Sequence, residues 1–128
     1  MIVVDSAVIV DALIDVDADE IRALLGDQDL HAPALLDYEV ASALRGLNLG
    51  GHISDGRTLD ALADYGDLRI ARWADNAVLR GRAYELRRNL SAYDAAYVAL
   101  AETLDAQLVT RDGRLGRSTG HAAAIAVV

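Results

Sequence analysis

A chain of 128 residues is long enough for one domain that buries about two thirds of the surface its unfolded form exposes, so its core needs no staple. It has no cysteine, which excludes a disulfide framework and a thiolate metal site, and His31, His52 and His121 stand far apart. A net charge of −8 excludes a general nucleic-acid coat protein, whose affinity comes from counterion release along a basic surface.

Ile2-Val3-Val4 is a short apolar run that predicts a buried first strand ending at Asp5-Ser6. From Ser6, the apolar positions Ile9, Val10, Leu13 and Ile14 recur at helical spacing, although the β-branched Val8-Ile9-Val10 also suits a strand. A second short helix is predicted from Asp17 to Leu25, closed by Gly26-Asp27, and a brief strand follows at Leu30-His31-Ala32-Pro33. Leu35 to Leu47 has Leu36, Val40, Ala43, Leu44 and Leu47 on one helical face, with Glu39 at its border. Asn48-Leu49-Gly50-Gly51 is a turn. The next helix runs from Ile53 or Ser54 to Tyr65, and Leu68 to Arg72 alternates apolar and arginine residues as a half-buried edge strand does. Asn76 to Arg88 predicts a helix with Val78, Leu79, Ala83 and Leu86 inward and its arginines outward. Ser91 caps a mostly apolar helix from Ala92 to Leu104, and Asp105-Ala106 links it to the strand Gln107 to Thr110. Asp112-Gly113 ends that strand, the segment to Gly120 is loop or a single turn, and Ala123 to Val128 is a last strand. Alternating strands and helices without repeat or linker predict a single domain over residues 1–128, with a mostly parallel sheet covered on both faces.

Charge is unevenly spread. Up to Glu39 the chain is acidic with Arg22 as its only arginine, whereas Arg80, Arg82, Arg87, Arg88, Arg111, Arg114 and Arg117 gather in the second half; lysine is absent. The start, Met-Ile-Val-Val-Asp, has no basic region of the export-signal kind, and no apolar run nears the ~20 residues of a membrane span. A cytoplasmic protein without a membrane partner is the expectation.

Four carboxylates stand out, and three of them lie where strands or helices present groups to the ligand edge of a parallel sheet, outside the carboxyl ends of its strands. Asp5 follows the first strand, Glu39 lies on the helix after the second, Asp94 begins a helix, and Asp112 follows the penultimate strand. Each has an ordinary structural role open to it as well. Asp5 can cap the first helix, Asp112 can serve its turn, Ser91-x-x-Asp94 has the spacing of a capping box, and Glu39 can be a boundary residue.

Together the motifs form a family pattern. Val4-Asp5-Ser6, the helix Tyr38-Glu39-Val40-Ala41-Ser42-Ala43-Leu44-Arg45, Tyr93-Asp94-Ala95-Ala96-Tyr97 and Leu108-Val109-Thr110-Arg111-Asp112 resemble, in order and spacing, the PIN-domain ribonucleases, particularly VapC-type toxins of toxin–antitoxin pairs. The resemblance covers the whole chain, whose length matches a stand-alone PIN domain. It implies a three-layer α/β/α fold with a mostly parallel central sheet of about five strands, endonucleolytic RNA cleavage, and an acidic pocket for Mg²⁺ or Mn²⁺. It also implies a small antitoxin that occludes that pocket. Asp5, Glu39, Asp94 and Asp112 occupy the family's acidic positions, and Ser6 and Thr110 the positions whose hydroxyls support them.

The residue types fit that chemistry independently. Carboxylate oxygens are hard ligands suited to Mg²⁺ or Mn²⁺, and without cysteine or clustered histidine a zinc site is disfavoured. Such an ion lowers the pKa of water and neutralises charge on phosphate in an in-line displacement. Attack by water is preferred to attack by the RNA's own 2′-hydroxyl, and one metal or two is left open. Arg45, Arg111 and Arg114 are candidate phosphate contacts, with a solvated surface as their ordinary alternative. A 53% hydrophobic composition and helices with few charges predict a partner that buries apolar surface, and the family resemblance together with the acidic charge implies a homodimer and a short basic or amphipathic antitoxin segment. The competing readings are a phospho-acceptor receiver-like signalling domain and a catalytically silent PIN binding module. The first lacks the lysine it normally needs. An aspartate-nucleophile phosphatase lacks its second Asp at Asp5-Ser6-Ala7, and neither glycine-rich nucleotide motif occurs.

Overall fold

The computed structural model describes residues 1–128. Five strands, β1 (Ile2–Val4), β2 (Leu30–Pro33), β3 (Ile70–Trp73), β4 (Gln107–Thr110) and β5 (Ile125–Val127), pair in the order β3-β2-β1-β4-β5. Every pairing is parallel. The helices are α1 (Ser6–Ile14), α2 (Asp19–Gly26), α3 (Leu36–Leu49), α4 (Asp55–Asp67), α5 (Ala77–Glu85), α6 (Ala92–Leu104) and the single turn α7 (Gly113–Gly116). Helices α1 to α4 pack among themselves, while α5 packs on α6, and α6 lies against β1, β2 and β4. The result is the expected three-layer α/β/α arrangement.

Burial explains the choices that local preference leaves open. Val8, Ile9 and Val10 are all buried, so helix α1 forms despite three β-branched residues in a row. Its start is fixed by Asp5, whose carboxylate accepts a hydrogen bond from the Val8 backbone N–H at 3.1 Å. In β1 and β4, Val3, Val4, Leu108 and Val109 are essentially inaccessible, as an unbroken apolar run in a central parallel strand requires. Helix α6 contributes buried Ala95, Tyr97, Val98, Ala99, Leu100 and Ala101, whose small residues bring it close to the sheet.

Several expected boundaries move. Strand β3 begins at Ile70, because Leu68 still closes α4 through its N–H to the Tyr65 carbonyl. Helix α5 ends at Glu85, and Val78 is 77% exposed: α5 lies outside α6 and buries only Ala83 within its span. Helix α2 starts at Asp19, and the last strand is confined to Ile125–Val127.

The strand order reverses direction between β1 and β4. The chain lays down β2 and β3 on one side of β1, then returns to place β4 and β5 on the other. Crossover connections diverge at such a point and leave a crevice outside the strand ends. Asp5 leaves β1 and Asp112 follows β4 at that edge.

Candidate active site

Thr110, the last residue of β4, is completely buried and ties the two sides of the crevice together. Its hydroxyl donates to Asp5 Oδ2 and accepts from the Asp112 backbone N–H at 3.0 Å. Asp5 is therefore both helix cap and crevice acid. Burial pushes its carboxyl above the ordinary range against the hydrogen bonds of Thr110, Val8 and Arg111, and the charge of Asp112 pushes it further.

Glu39 reaches the same crevice from the first turn of α3, half-buried. The buried Tyr97 hydroxyl of α6 donates to Glu39 Oε1 at 2.6 Å. Burial raises the Glu39 carboxyl, the Tyr97 bond opposes the rise, and the charges of Asp94 and Asp5 add to it. Asp94 stands in the first turn of α6, one turn before Tyr97. Ser91 Oγ accepts from the Asp94 backbone N–H at 3.2 Å, while no protein donor reaches the Asp94 carboxylate, so only half of the capping box forms. Asp112 accepts from the Arg114 backbone N–H at 2.8 Å and pairs with its guanidinium at 3.3 Å, which hold its carboxyl below the usual range.

Asp5, Glu39, Asp94 and Asp112 thus come from four separate segments to one edge, close enough to sense one another's charge. They are not drawn into common coordination: no three acidic or histidine side chains are grouped tightly enough to hold an ion. Like charges separate unless a cation lies between them, and each of three acids has its own donor, Thr110, Tyr97 or Arg114. The donor set is hard oxygen, which fits Mg²⁺ or Mn²⁺ in kind, and Asp94 offers both oxygens free of protein donors. Beside the acids, Asp94, Asp112, Arg114, Asn89 and Ser91 line an open cleft of about 510 Å³.

The supporting residues divide. Thr110 is hydrogen-bonded to Asp5 and to the Asp112 backbone, whereas the Ser6 hydroxyl hydrogen-bonds to none of the four acids. Arg114 stands 85% exposed at the cleft mouth, and Arg45 is exposed on α3 without a carboxylate partner. Arg111 turns away: its guanidinium pairs with Asp11 at 2.8 Å and donates to the Val128 carbonyl at 2.9 Å, binding the chain end to α1. Sequence reasoning missed Tyr97 as a site residue. Its signal was its place three residues after Asp94, which puts both on one helical face.

A second depression, also about 510 Å³, contains none of these acids. It is a mostly apolar groove that includes Pro33, Leu35, Trp73, Leu79, Tyr84 and Tyr93, and it shares α6 with the acidic crevice.

The raised carboxyls of Asp5 and Glu39 give a pH signature. Each contributes stability that is present below its unfolded value, ordinarily 3.8 for Asp5 and 4.5 for Glu39, and is lost as pH rises through the higher folded value. Asp112 and Glu102, held low by arginines, act in the opposite sense and lose their contribution as pH falls. In chelator, Glu39→Gln removes one raised carboxyl. Its melting temperature relative to wild type should therefore be most favourable at neutral pH and decline as the pH approaches 4.5. A difference independent of pH from 7 to 4.5 would contradict the raised value.

Comparison with known proteins agrees with this fold. The family model described as the PIN domain matches residues 2–119. The VapC ribonuclease Mb0985 of Mycobacterium bovis is 44% identical over 126 residues, covering 95% of this chain and 93% of that protein. Ribonuclease VapC12 of Mycobacterium tuberculosis is 38% identical over 129 residues, covering 100% and 99%. Among solved structures, VapBC2 from Rickettsia felis, bound to a promoter DNA fragment, superposes with a TM-score of 0.70 at 14% identity, covering 99% of this chain and 98% of that one. The extent and identity of these matches establish that the chain belongs to the PIN-domain family and, within it, to the VapC ribonucleases.

Proposed function

We propose that this chain is a Mg²⁺- or Mn²⁺-dependent endoribonuclease that hydrolyses RNA phosphodiester bonds and acts as the toxin of a toxin–antitoxin pair. The observation that carries this reading is the meeting of Asp5, Glu39, Asp94 and Asp112 at the reversal point of the sheet. The ribonuclease names of its relatives support it. A divalent ion held by these carboxylates would supply a water of lowered pKa and neutralise charge on the scissile phosphate. Asp94 and Asp112 face the open cleft and offer oxygens there. Asp5 and Glu39 lie deeper, oriented by Thr110 and Tyr97. Arg114, and with less constraint Arg45, meet the phosphates flanking the cut. Arg111, engaged by Asp11, leaves that set.

The partner is a small antitoxin with a basic or amphipathic segment that covers the cleft, complementing the chain's net charge of −8. A homodimer is the second association. The apolar groove between α5 and α6, with Tyr84 67% and Tyr93 68% exposed, gives self-contact a surface.

The test is cleavage of an end-labelled RNA mixture by purified protein in Mn²⁺, in Mg²⁺ and in chelator. Discrete products with either metal and none in chelator are expected. Cleavage that persists unchanged in chelator, or none under any condition, overturns the reading. Sedimentation of the same preparation tests the homodimer, and a monomer at high micromolar concentration removes it.

A further inference from the structure

Glu39 and Tyr97 are 58 residues apart, and the bond between them is the one polar side-chain link from α3 to α6. Tyr97 is only 3% exposed, so its ring is held by the core and its hydroxyl has no solvent alternative. Asp94, one turn earlier on the same helix, projects towards the same crevice. One rigid helix therefore carries one acid of the cluster and the donor that holds another. Asp94 and Asp5 both repel Glu39, so without that donor its flexible side chain would turn away from them.

We propose that Tyr97 is a positioning residue, whose hydroxyl holds the Glu39 carboxylate in register with Asp94 so that both can bind one divalent ion. The inference rests on the endoribonuclease reading above and extends it by a residue that touches neither ion nor RNA. A phenol hydroxyl, which ordinarily ionises only near about 10, remains a proton donor throughout the working pH. Thr110 does the corresponding service for Asp5 on the other side of the crevice. A hydroxyl donor to a carboxylate is also directional. It occupies Oε1 and leaves Oε2 for the ion, which is how outer partners orient metal ligands.

The experiment measures Mn²⁺ affinity directly, from the paramagnetic resonance signal of free Mn²⁺, on wild type, Tyr97→Phe and Tyr65→Phe. Tyr65 is the control because it is also a buried tyrosine that donates to a carboxylate, Asp37 Oδ1 at 2.5 Å, but that carboxylate is outside the acid cluster. Both substitutions should lower the melting temperature. Only Tyr97→Phe should weaken Mn²⁺ binding, by about 10-fold or more, with a matching fall in kcat and little change in KM for RNA. Replacing Tyr97 with 4-aminophenylalanine keeps the ring and restores an N–H donor, and it should return Mn²⁺ affinity to near the wild-type value. That variant also decides the matter where Tyr97→Phe does not fold. Wild-type Mn²⁺ affinity in Tyr97→Phe, an equal loss in Tyr65→Phe, or no recovery with the amino analogue overturns the proposal. If wild type neither binds Mn²⁺ nor cleaves RNA, the nuclease reading itself fails and the proposal goes with it.

Discussion

Asp94→Asn is expected to abolish RNA cleavage while leaving the metal-free protein as stable as wild type, or more stable. The loss should exceed the roughly 100-fold that follows removal of an outer partner, because Asp94 is proposed to bind the ion itself. The stability result follows from charge. Two carboxylates ~4 Å apart repel by about 4 kcal/mol at an effective dielectric near 20, and even a fraction of that exceeds what a lone acid gains from a helix N-terminus, about 0.3–1 kcal/mol. The cap itself survives, since Ser91 accepts the Asp94 backbone N–H whatever the side chain. Asp105→Asn is a suitable control on the same helix. Asp105 closes α6 in the left-handed region at φ 50°, a conformation asparagine adopts readily, so no change is expected. The measurement is melting temperature in chelator and in excess Mn²⁺ for all three proteins. A Mn²⁺-induced rise that survives Asp94→Asn undiminished, together with retained cleavage, would remove Asp94 from the ligand set.

Thr110→Val should damage both stability and activity. Valine fills the same buried volume, so the change isolates the hydroxyl, which serves Asp5 and the Asp112 backbone at once. Losing a hydrogen bond to a charged group costs about 1.5–3 kcal/mol, read as a melting-temperature decrease of roughly 5–12 °C in a domain of this size. Cleavage should fall about 10–100-fold, since Asp5 loses the partner that orients it. Thr110→Ser keeps the hydroxyl and should recover most of the activity while still losing stability through the missing methyl. If Thr110→Val cleaves as well as wild type, Asp5 needs no orientation from β4.

How far the sequence reveals this site depends on the range of each interaction. Strands β1 and β4 are legible as unbroken apolar runs, and Asp5 and Asp112 follow because each lies next to a strand end. Glu39 is legible as a residue at the edge of an apolar helix face, which is where the structure leaves it, half-buried. Direction across the fold is not legible. Arg111 sits between Thr110 and Asp112 in sequence, yet just past the end of β4 its guanidinium meets Asp11 on α1. Val78 has the right helical phase for burial, but no layer covers α5 there. Ser6 adjoins Asp5, yet its hydroxyl hydrogen-bonds to none of the acids. The Tyr97–Glu39 bond depends on the spacing of two helices, which no local pattern encodes.

The hydrogen bond from Thr110 to Asp5 joins residues 105 positions apart, and Asp112 lies further still along the chain. During synthesis a ribosome extends a polypeptide at about 5–20 residues per second, so the first acid is made several seconds before the strand that must receive it. Until β4 emerges and pairs with β1, Asp5 lacks its hydroxyl partner, the crevice lacks one wall, and Asp94 and Glu39 have no fixed relation to either. A growing chain therefore has no assembled acid cluster until β4 has joined the sheet beside β1. The four acids share one edge of the sheet only in a nearly finished molecule.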